Sequence, residues 1–104
     1  MADTAALERA VIDALHGCYD PEIPVDIYEL GLIYGVKVTP EGAAHVTMTL
    51  TSPACFAAQA LPAEVERAVR AVPGVTDARV EVVFDPPWDS ARMSDAAKLK
   101  LGLL

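Results

Sequence analysis

Cys55 is the residue of this sequence best placed for chemistry. It follows Thr51-Ser52-Pro53-Ala54 at the end of an alternating segment, and a helical period begins at about Phe56. The unpaired amide N–H groups and the positive dipole end of a helix start favour a thiolate over a thiol. Such a cysteine can act as a nucleophile or as a metal ligand. The alternative from position alone is a small buried hydrophobic residue, the commonest fate of a free cysteine.

Two carboxylates form a second candidate site. Asp20 and Glu22 flank Pro21, and Pro21 and Pro24 impose extended or turn geometry on this loop. Carboxylates that converge on one site can do acid/base chemistry or bind a hard metal ion. The alternative is a turn in which Asp20 caps backbone amides and Glu22 is solvated.

The second cysteine and the two histidines are weaker candidates. Cys18 ends the apolar stripe of the first predicted helix, so we expect it in the core. His16 lies near the end of that helix and His45 on the polar face of a predicted strand, and neither has a cysteine or carboxylate at metal-ligand spacing. A thiol enzyme would need His45 to cross the strand end to reach Cys55.

The periodicities predict the elements that position these residues. An apolar stripe at helical spacing covers roughly residues 4 to 16, and Gly17 is its expected C-terminal stop. Asp26 and Glu29 form a capping-box pair before Gly31. Two strands follow, at about 32–38 and 44–50, and their short connection predicts an antiparallel hairpin.

The second half of the chain repeats the alternation of helix and strand. A helix begins close to Cys55 and bends, or starts a second time, at Pro62. A third strand covers about 78–84, and a short last helix runs from Ser94 to Leu101 and stops at Gly102. Trp88 lies in the loop between them, where we expect a lid over the open end of the core, with a partner-docking patch as the alternative. The order α-β-β-α-β-α predicts an α+β two-layer sandwich, with helices on one face of a small three-stranded sheet.

Composition limits the classes of function. The 104 residues fit a single domain over 1–104, and 53 % hydrophobic residues can fill its core without a structural metal or disulfide. Eight Lys and Arg against 15 Asp and Glu give a net charge of −7, the wrong sign for binding nucleic acid or an anionic membrane. The N-terminus has no signal-peptide pattern and the apolar runs are short, so we expect a cytoplasmic protein.

Three motifs together resemble one known family. They are Asp20-Pro21-Glu22-Ile23-Pro24-Val25-Asp26-Ile27-Tyr28-Glu29-Leu30-Gly31-Leu32-Ile33-Tyr34, then Met48-Thr49-Leu50-Thr51-Ser52-Pro53-Ala54-Cys55, and then Asp85-Pro86-Pro87-Trp88. Over nearly its whole length the chain is similar to the iron–sulfur cluster assembly family of SufT-like proteins. The resemblance implies the α+β fold reached above. It also implies that Cys55 is the family's reactive cysteine, that Asp20 and Glu22 form its acidic loop, and that Thr51 is the threonine before the cysteine.

The resemblance implies a function without enzymatic turnover. The chain is expected to assist iron–sulfur cluster assembly or delivery to client apoproteins, with Cys55 as thiolate touching transient iron or a cluster. A non-catalytic adaptor that docks a client is the alternative, and a thiol enzyme is a distant third. The family usually has proline directly after this cysteine, and Phe56 stands there instead. Because one thiolate cannot hold a cluster that prefers four ligands, a two-fold homodimer is the simplest expected assembly.

Overall fold

A three-stranded mixed sheet carries two helices on one face in the computed structural model, which describes residues 4–19, 25–50 and 60–102. This confirms the predicted α+β sandwich and its order of elements. The elements are α1 (Thr4–Leu15), β1 (Ile33–Val38), β2 (Ala43–Met48), α2 (Leu61–Arg70), β3 (Asp77–Val82), a 3₁₀ turn (Ser90–Arg92) and α3 (Asp95–Lys100).

The sheet has the strand order β1-β2-β3, which the hydrophobic pattern left open. β1 and β2 pair antiparallel, as the predicted hairpin requires, whereas β2 and β3 pair parallel. Along β2 the side chains alternate: Ala44, Val46 and Met48 are buried, and His45 and Thr47 lie on the opposite, partly exposed face. Helices α1 and α2 cover the face that carries Ala44, Val46 and Met48.

The core forms where the stripes of α1 and α2 meet the sheet. Each helix buries three residues at i, i+4 and i+8: Leu7, Val11 and Leu15 on α1, and Leu61, Val65 and Val69 on α2. Burying one such side chain stabilises the fold by about 1.5–3 kcal/mol. The apolar stripes predicted from helical spacing are thus the side chains that pack α1 and α2 on the sheet.

The predicted helix ends at Gly17, Pro62 and Gly102 are confirmed in position, and the geometry at Gly17 differs from the usual glycine stop. Pro62 lies in the first turn of α2, so it starts a helix there; a helix beginning near Cys55 lies outside the described residues. Gly102 stops the last helix with a φ of 77°. Gly17 does not take up the expected left-handed conformation. Helix α1 instead ends in tighter turns, with the amide of Gly17 donating to Ala14 O over 3.0 Å.

The loop after β3 closes the open end of the core, as predicted for Trp88. The Trp88 ring is half-buried against the core, and its Nε1–H donates to Leu30 O over 2.8 Å. Met93 beyond it is 9 % exposed. The Trp88 loop is thus tied to the turn that follows Asp26.

No helix within the described ranges is long and apolar enough to cross a membrane.

Gly31→Ala is expected to lower the free energy of unfolding by about 2 kcal/mol or more, because Gly31 has a φ of +80° and a Cβ there would collide with the backbone carbonyl of Arg92. Gly35→Ala is the matched control, since a Cβ at Gly35 meets no atom within 4 Å. That change should stay within about 0.5 kcal/mol. Urea denaturation monitored by Trp88 fluorescence measures both, and equal stability of the two variants would contradict the prediction.

Candidate functional site

All four predicted site residues lie outside the described residues. Cys55 and Thr51 belong to segment 51–59, and Asp20 and Glu22 to segment 20–24. Their roles therefore stay predictions, and the structure bears on them through the residues that bracket each segment.

The described residues on the two sides of the acidic segment, 20–24, lie next to each other. Tyr19 and Asp26 are antiparallel bridge partners, and the amide of Ile27 donates to Cys18 O over 2.9 Å. The carboxylate of Asp26 accepts from the amide of Glu29 over 3.0 Å, as the capping-box spacing predicted. The two anchors of segment 20–24 are therefore held together.

The cysteine segment is joined to the core on both sides. Before it, Thr49 and Leu50 are 1 % and 6 % exposed. After it, Leu61 is 1 % exposed at the start of α2. Neither anchor can move without disturbing the packed layer between α2 and the sheet.

Hydrogen bonds link the anchors of the two segments. The amide of Thr49 donates to Leu32 O over 2.8 Å, and the amide of Leu32 donates to Ile27 O over 3.1 Å. Ile27 in turn donates to Cys18. Thr49, which precedes the cysteine segment, and Cys18 and Ile27, which lie on either side of the acidic segment, are therefore at the same end of the sheet.

Cys18 lies between these anchors and is a core residue, as predicted. It is 7 % exposed, and its Sγ–H donates to Ala14 O at 3.8 Å. Burial raises the pKa of the Cys18 thiol, and the carboxylates of Glu64 and Asp26 raise it further. Cys18 therefore stays a protonated thiol at neutral pH and is poorly suited to bind iron.

Both histidines face carboxylates that sequence spacing did not reveal. His16 Nδ1 lies 3.2 Å from Asp26 Oδ2, and its ring lies 4.7 Å from the Tyr28 ring. His45 Nε2 lies 3.4 Å from Glu81 Oε1 across the β2–β3 pair. These pairs arise from the chain closing at Tyr19 and from the strand order, which no local pattern encodes. Across 4–19, 25–50 and 60–102, no three His, Cys, Asp or Glu side chains converge to hold a metal ion.

We expect Cys55 to react at least about tenfold faster with iodoacetamide than Cys18 at neutral pH, because the thiolate is the nucleophile and Cys18 is buried with a raised pKa. Cys18→Ser reports on Cys55 and Cys55→Ser reports on Cys18. Labelling rates across a pH series, followed by mass spectrometry, give the comparison. Faster labelling of Cys18 would refute the assignment of the reactive cysteine.

A family model described as an iron–sulfur cluster assembly protein matches residues 8–82 of the chain. An Fe-S protein maturation auxiliary factor of Porphyromonas gingivalis is 44 % identical over 97 residues, covering 93 % of this chain and 92 % of that one. The Fe-S protein maturation auxiliary factor SufT of Staphylococcus aureus is 40 % identical over 84 residues, covering 81 % and 96 %.

A solved structure has the same fold. The crystal structure of a domain of unknown function, DUF59, from Bacillus anthracis superposes with a TM-score of 0.90 and is 38 % identical in sequence. The match covers 97 % of this chain and 96 % of that one. The likeness therefore extends over the helices, the sheet and the loop that closes the core.

Proposed function

The chain belongs to the iron–sulfur cluster assembly protein family, and we propose from this that it is an accessory factor in assembling or delivering iron–sulfur clusters, with the Cys55 thiolate as its point of contact with iron. The observation that carries the function is the match to maturation auxiliary factors over most of both chains. The cluster is cargo in this role. It is bound transiently and passed to a client apoprotein, so the factor itself needs no turnover reaction.

The choice of Cys55 is supported by what the other cysteine does. Cys18 is buried, hydrogen-bonded and held protonated. No alternative metal-binding group exists among the residues that the structure describes. We therefore assign the contact with iron to Cys55, which the sequence puts at a helix start that favours a thiolate.

Asp20 and Glu22 give the site its preference for a cation. The hydrogen bonds from Thr49 through Leu32 and Ile27 to Cys18 support a place for the acidic segment beside the cysteine segment. Two carboxylates near a thiol raise the thiol's pKa and favour binding of a metal ion over an exposed free thiolate. In this arrangement Asp20 and Glu22 attract ferrous iron, Cys55 ligates it, and Thr51 lines the same site.

The partners in this proposal are the assembly machinery and client apoproteins of the cytoplasm. A net charge of −7 disfavours binding to nucleic acid or an anionic membrane surface. A second copy of the chain or a partner must supply further ligands, because a single thiolate leaves most cluster ligand positions to be filled by other groups.

Anaerobic delivery to an apo-[4Fe–4S] dehydratase tests the function. The protein is loaded with ferrous iron and sulfide, desalted, and mixed with the apoenzyme in the presence of a ferrous chelator. We expect faster recovery of dehydratase activity than with iron and sulfide alone. Acceleration by a chain that gains no thiolate-to-iron absorption would instead identify an adaptor. No acceleration, and no iron uptake, would overturn the accessory role.

A further inference from the structure

An open pocket of about 480 Å³ is formed by described residues that are not among the predicted site residues. It is lined by Gly31, Ile33, Tyr34, Pro86 and Arg92. Among these described lining residues the apolar surface predominates, and Arg92 is the one that carries a charge. Pockets of this size and make-up bind an apolar group that carries one well-placed polar function.

Arg92 is available to an anion. Its Cζ lies 4.8 Å from the centroid of the Tyr34 ring, so the guanidinium is held over the ring face. The ring face takes up no N–H hydrogen bond in the way an acceptor oxygen would, so the guanidinium N–H donors can still pair with an anion. Within the described ranges no carboxylate lies in ion-pair distance of Arg92, although the chain has many more acidic than basic residues.

The pocket walls are fixed before any ligand binds. The Tyr34 hydroxyl donates to Pro86 O over 2.8 Å, which sets the position of the ring under Arg92. The backbone of Arg92 packs against Gly31, where no Cβ would fit, and the amide of the following Ser94 donates to Glu29 O over 2.8 Å. A preformed site loses little conformational entropy on binding.

Neighbouring groups limit which end of a ligand can carry the charge. A second, smaller pocket of about 190 Å³ shares Ile33 and Tyr34 with the first and is bordered by Tyr28 and by the carboxylate of Glu8. Asp89, three residues before Arg92, directs its carboxylate to the amide of Ala91 over 2.8 Å and forms no ion pair with Arg92. A negative charge is thus favoured at the Arg92 end and disfavoured at the Glu8 end.

We propose that this pocket docks an exposed segment of a client apoprotein that carries an acidic residue beside an aromatic or aliphatic one. The carboxylate pairs with the edge of the Arg92 guanidinium, and the apolar side chain packs on Ile33, Tyr34 and Pro86. The identity of the partner as a client rests on the proposed function, whereas the binding itself needs no iron and no cysteine.

A titration of the 15N-labelled protein, followed by its amide resonances and the Arg92 Nε–H resonance, tests the proposal. The probe is the capped peptide Ac-Ser-Gly-Phe-Glu-Gly-Ser-NH2, and the matched peptide has Gln in place of Glu. The protein variants are Arg92→Gln, Arg92→Lys and Lys100→Gln, the last making the same charge change on exposed α3. Unchanged amide shifts away from the pocket show that each variant is folded.

We expect the Glu peptide to shift the resonances of Gly31, Ile33, Tyr34 and Arg92. Arg92→Gln, or the Gln peptide, should weaken binding at least about tenfold, because a charge-assisted hydrogen bond is lost. The affinity of Arg92→Lys for the Glu peptide should lie between those of the wild type and Arg92→Gln, and the affinity of Lys100→Gln should equal that of the wild type.

Several results would overturn the proposal that this pocket binds such a segment. They are equal affinity of wild type and Arg92→Gln, equal affinity for the two peptides, and absence of binding at about 2 mM peptide. Tighter binding of free 3-phenylpropionate than of the peptide would overturn the assignment to a protein partner. Because the titration contains no iron, its failure leaves the cluster-delivery assay unaffected, and failure of delivery leaves the titration unaffected.

Discussion

Cys55→Ser is expected to lose nearly all of the thiolate-to-iron absorption that the wild type gains on anaerobic reconstitution, whereas Cys18→Ser keeps it. Serine preserves the size of the side chain but removes the soft thiolate that iron–sulfur clusters require. Cys18 cannot compensate, because its thiol is buried, bonded to Ala14 O, and raised in pKa by burial and by Glu64 and Asp26. The expected loss is at least about tenfold in iron bound per chain.

The control separates a ligand from a residue that merely supports the fold. Cys18→Ser buries a hydroxyl in the core and is expected to cost about 1–3 kcal/mol of stability while leaving iron uptake intact. Cys55→Ser should show the reverse pattern of full stability and lost uptake. Iron assays and visible absorption, paired with urea denaturation of both variants, resolve the two effects. Retained iron in Cys55→Ser would remove Cys55 as the ligand.

The residues that face the core could be predicted from hydrophobic spacing, because buried side chains recur at every second residue of a strand and at about every fourth residue of a helix. The alternation of Ala44, Val46 and Met48 predicted both a strand and the face it turns to the helices. Cys18 was assigned to the core by the same logic, since it continues the buried stripe of α1. Local signals were sufficient wherever the residues that interact are neighbours in sequence.

Contacts between distant segments could not be predicted in this way. Parallel pairing of β3 beside β2 satisfies the same alternation as other strand orders. The pair of His16 and Asp26 depends on a loop that closes at Tyr19, and the Arg92–Tyr34 contact joins segments far apart in the chain. For the same reason, a place for the acidic loop beside Cys55 stays a prediction, which rests on the family resemblance and on the hydrogen bonds among the flanking residues Thr49, Leu32 and Ile27.

Iron binding is expected to require two chains. One Cys55 supplies one thiolate, a cluster prefers four ligands, and Cys18 is withdrawn into the core. A two-fold contact brings identical residues together, so a homodimer with both Cys55 residues at its interface is the simplest closed assembly. It leaves the remaining positions to Asp20, Glu22 or a client's cysteines.

Trp88 offers little apolar surface for that contact. Trp88 is half-buried, with its Nε1–H donated to Leu30 O, whereas Phe84 on the same loop is 49 % exposed. Tyr19, which opens the acidic segment, is 51 % exposed. Exposed aromatic residues are enriched in protein interfaces, so Phe84 and Tyr19, the two most exposed of the described aromatic residues, are the ones to substitute in testing the dimer.

Light scattering and iron analysis on the same reconstituted sample distinguish a homodimer from a monomer. We expect twice the chain mass when iron is bound, with about one iron per chain for a shared [2Fe–2S] cluster or about two for a shared [4Fe–4S] cluster. Phe84→Ser and Tyr19→Ser together should lower mass and iron content in parallel, because the cluster and the contact stabilise each other by linkage. A strict monomer that binds a cluster stoichiometrically, and keeps it in Cys55→Ser, would refute both the homodimer and the assignment of Cys55 as an iron ligand. A monomer that binds no iron but still accelerates delivery would assign the chain to the adaptor role, in which the client alone holds the cluster.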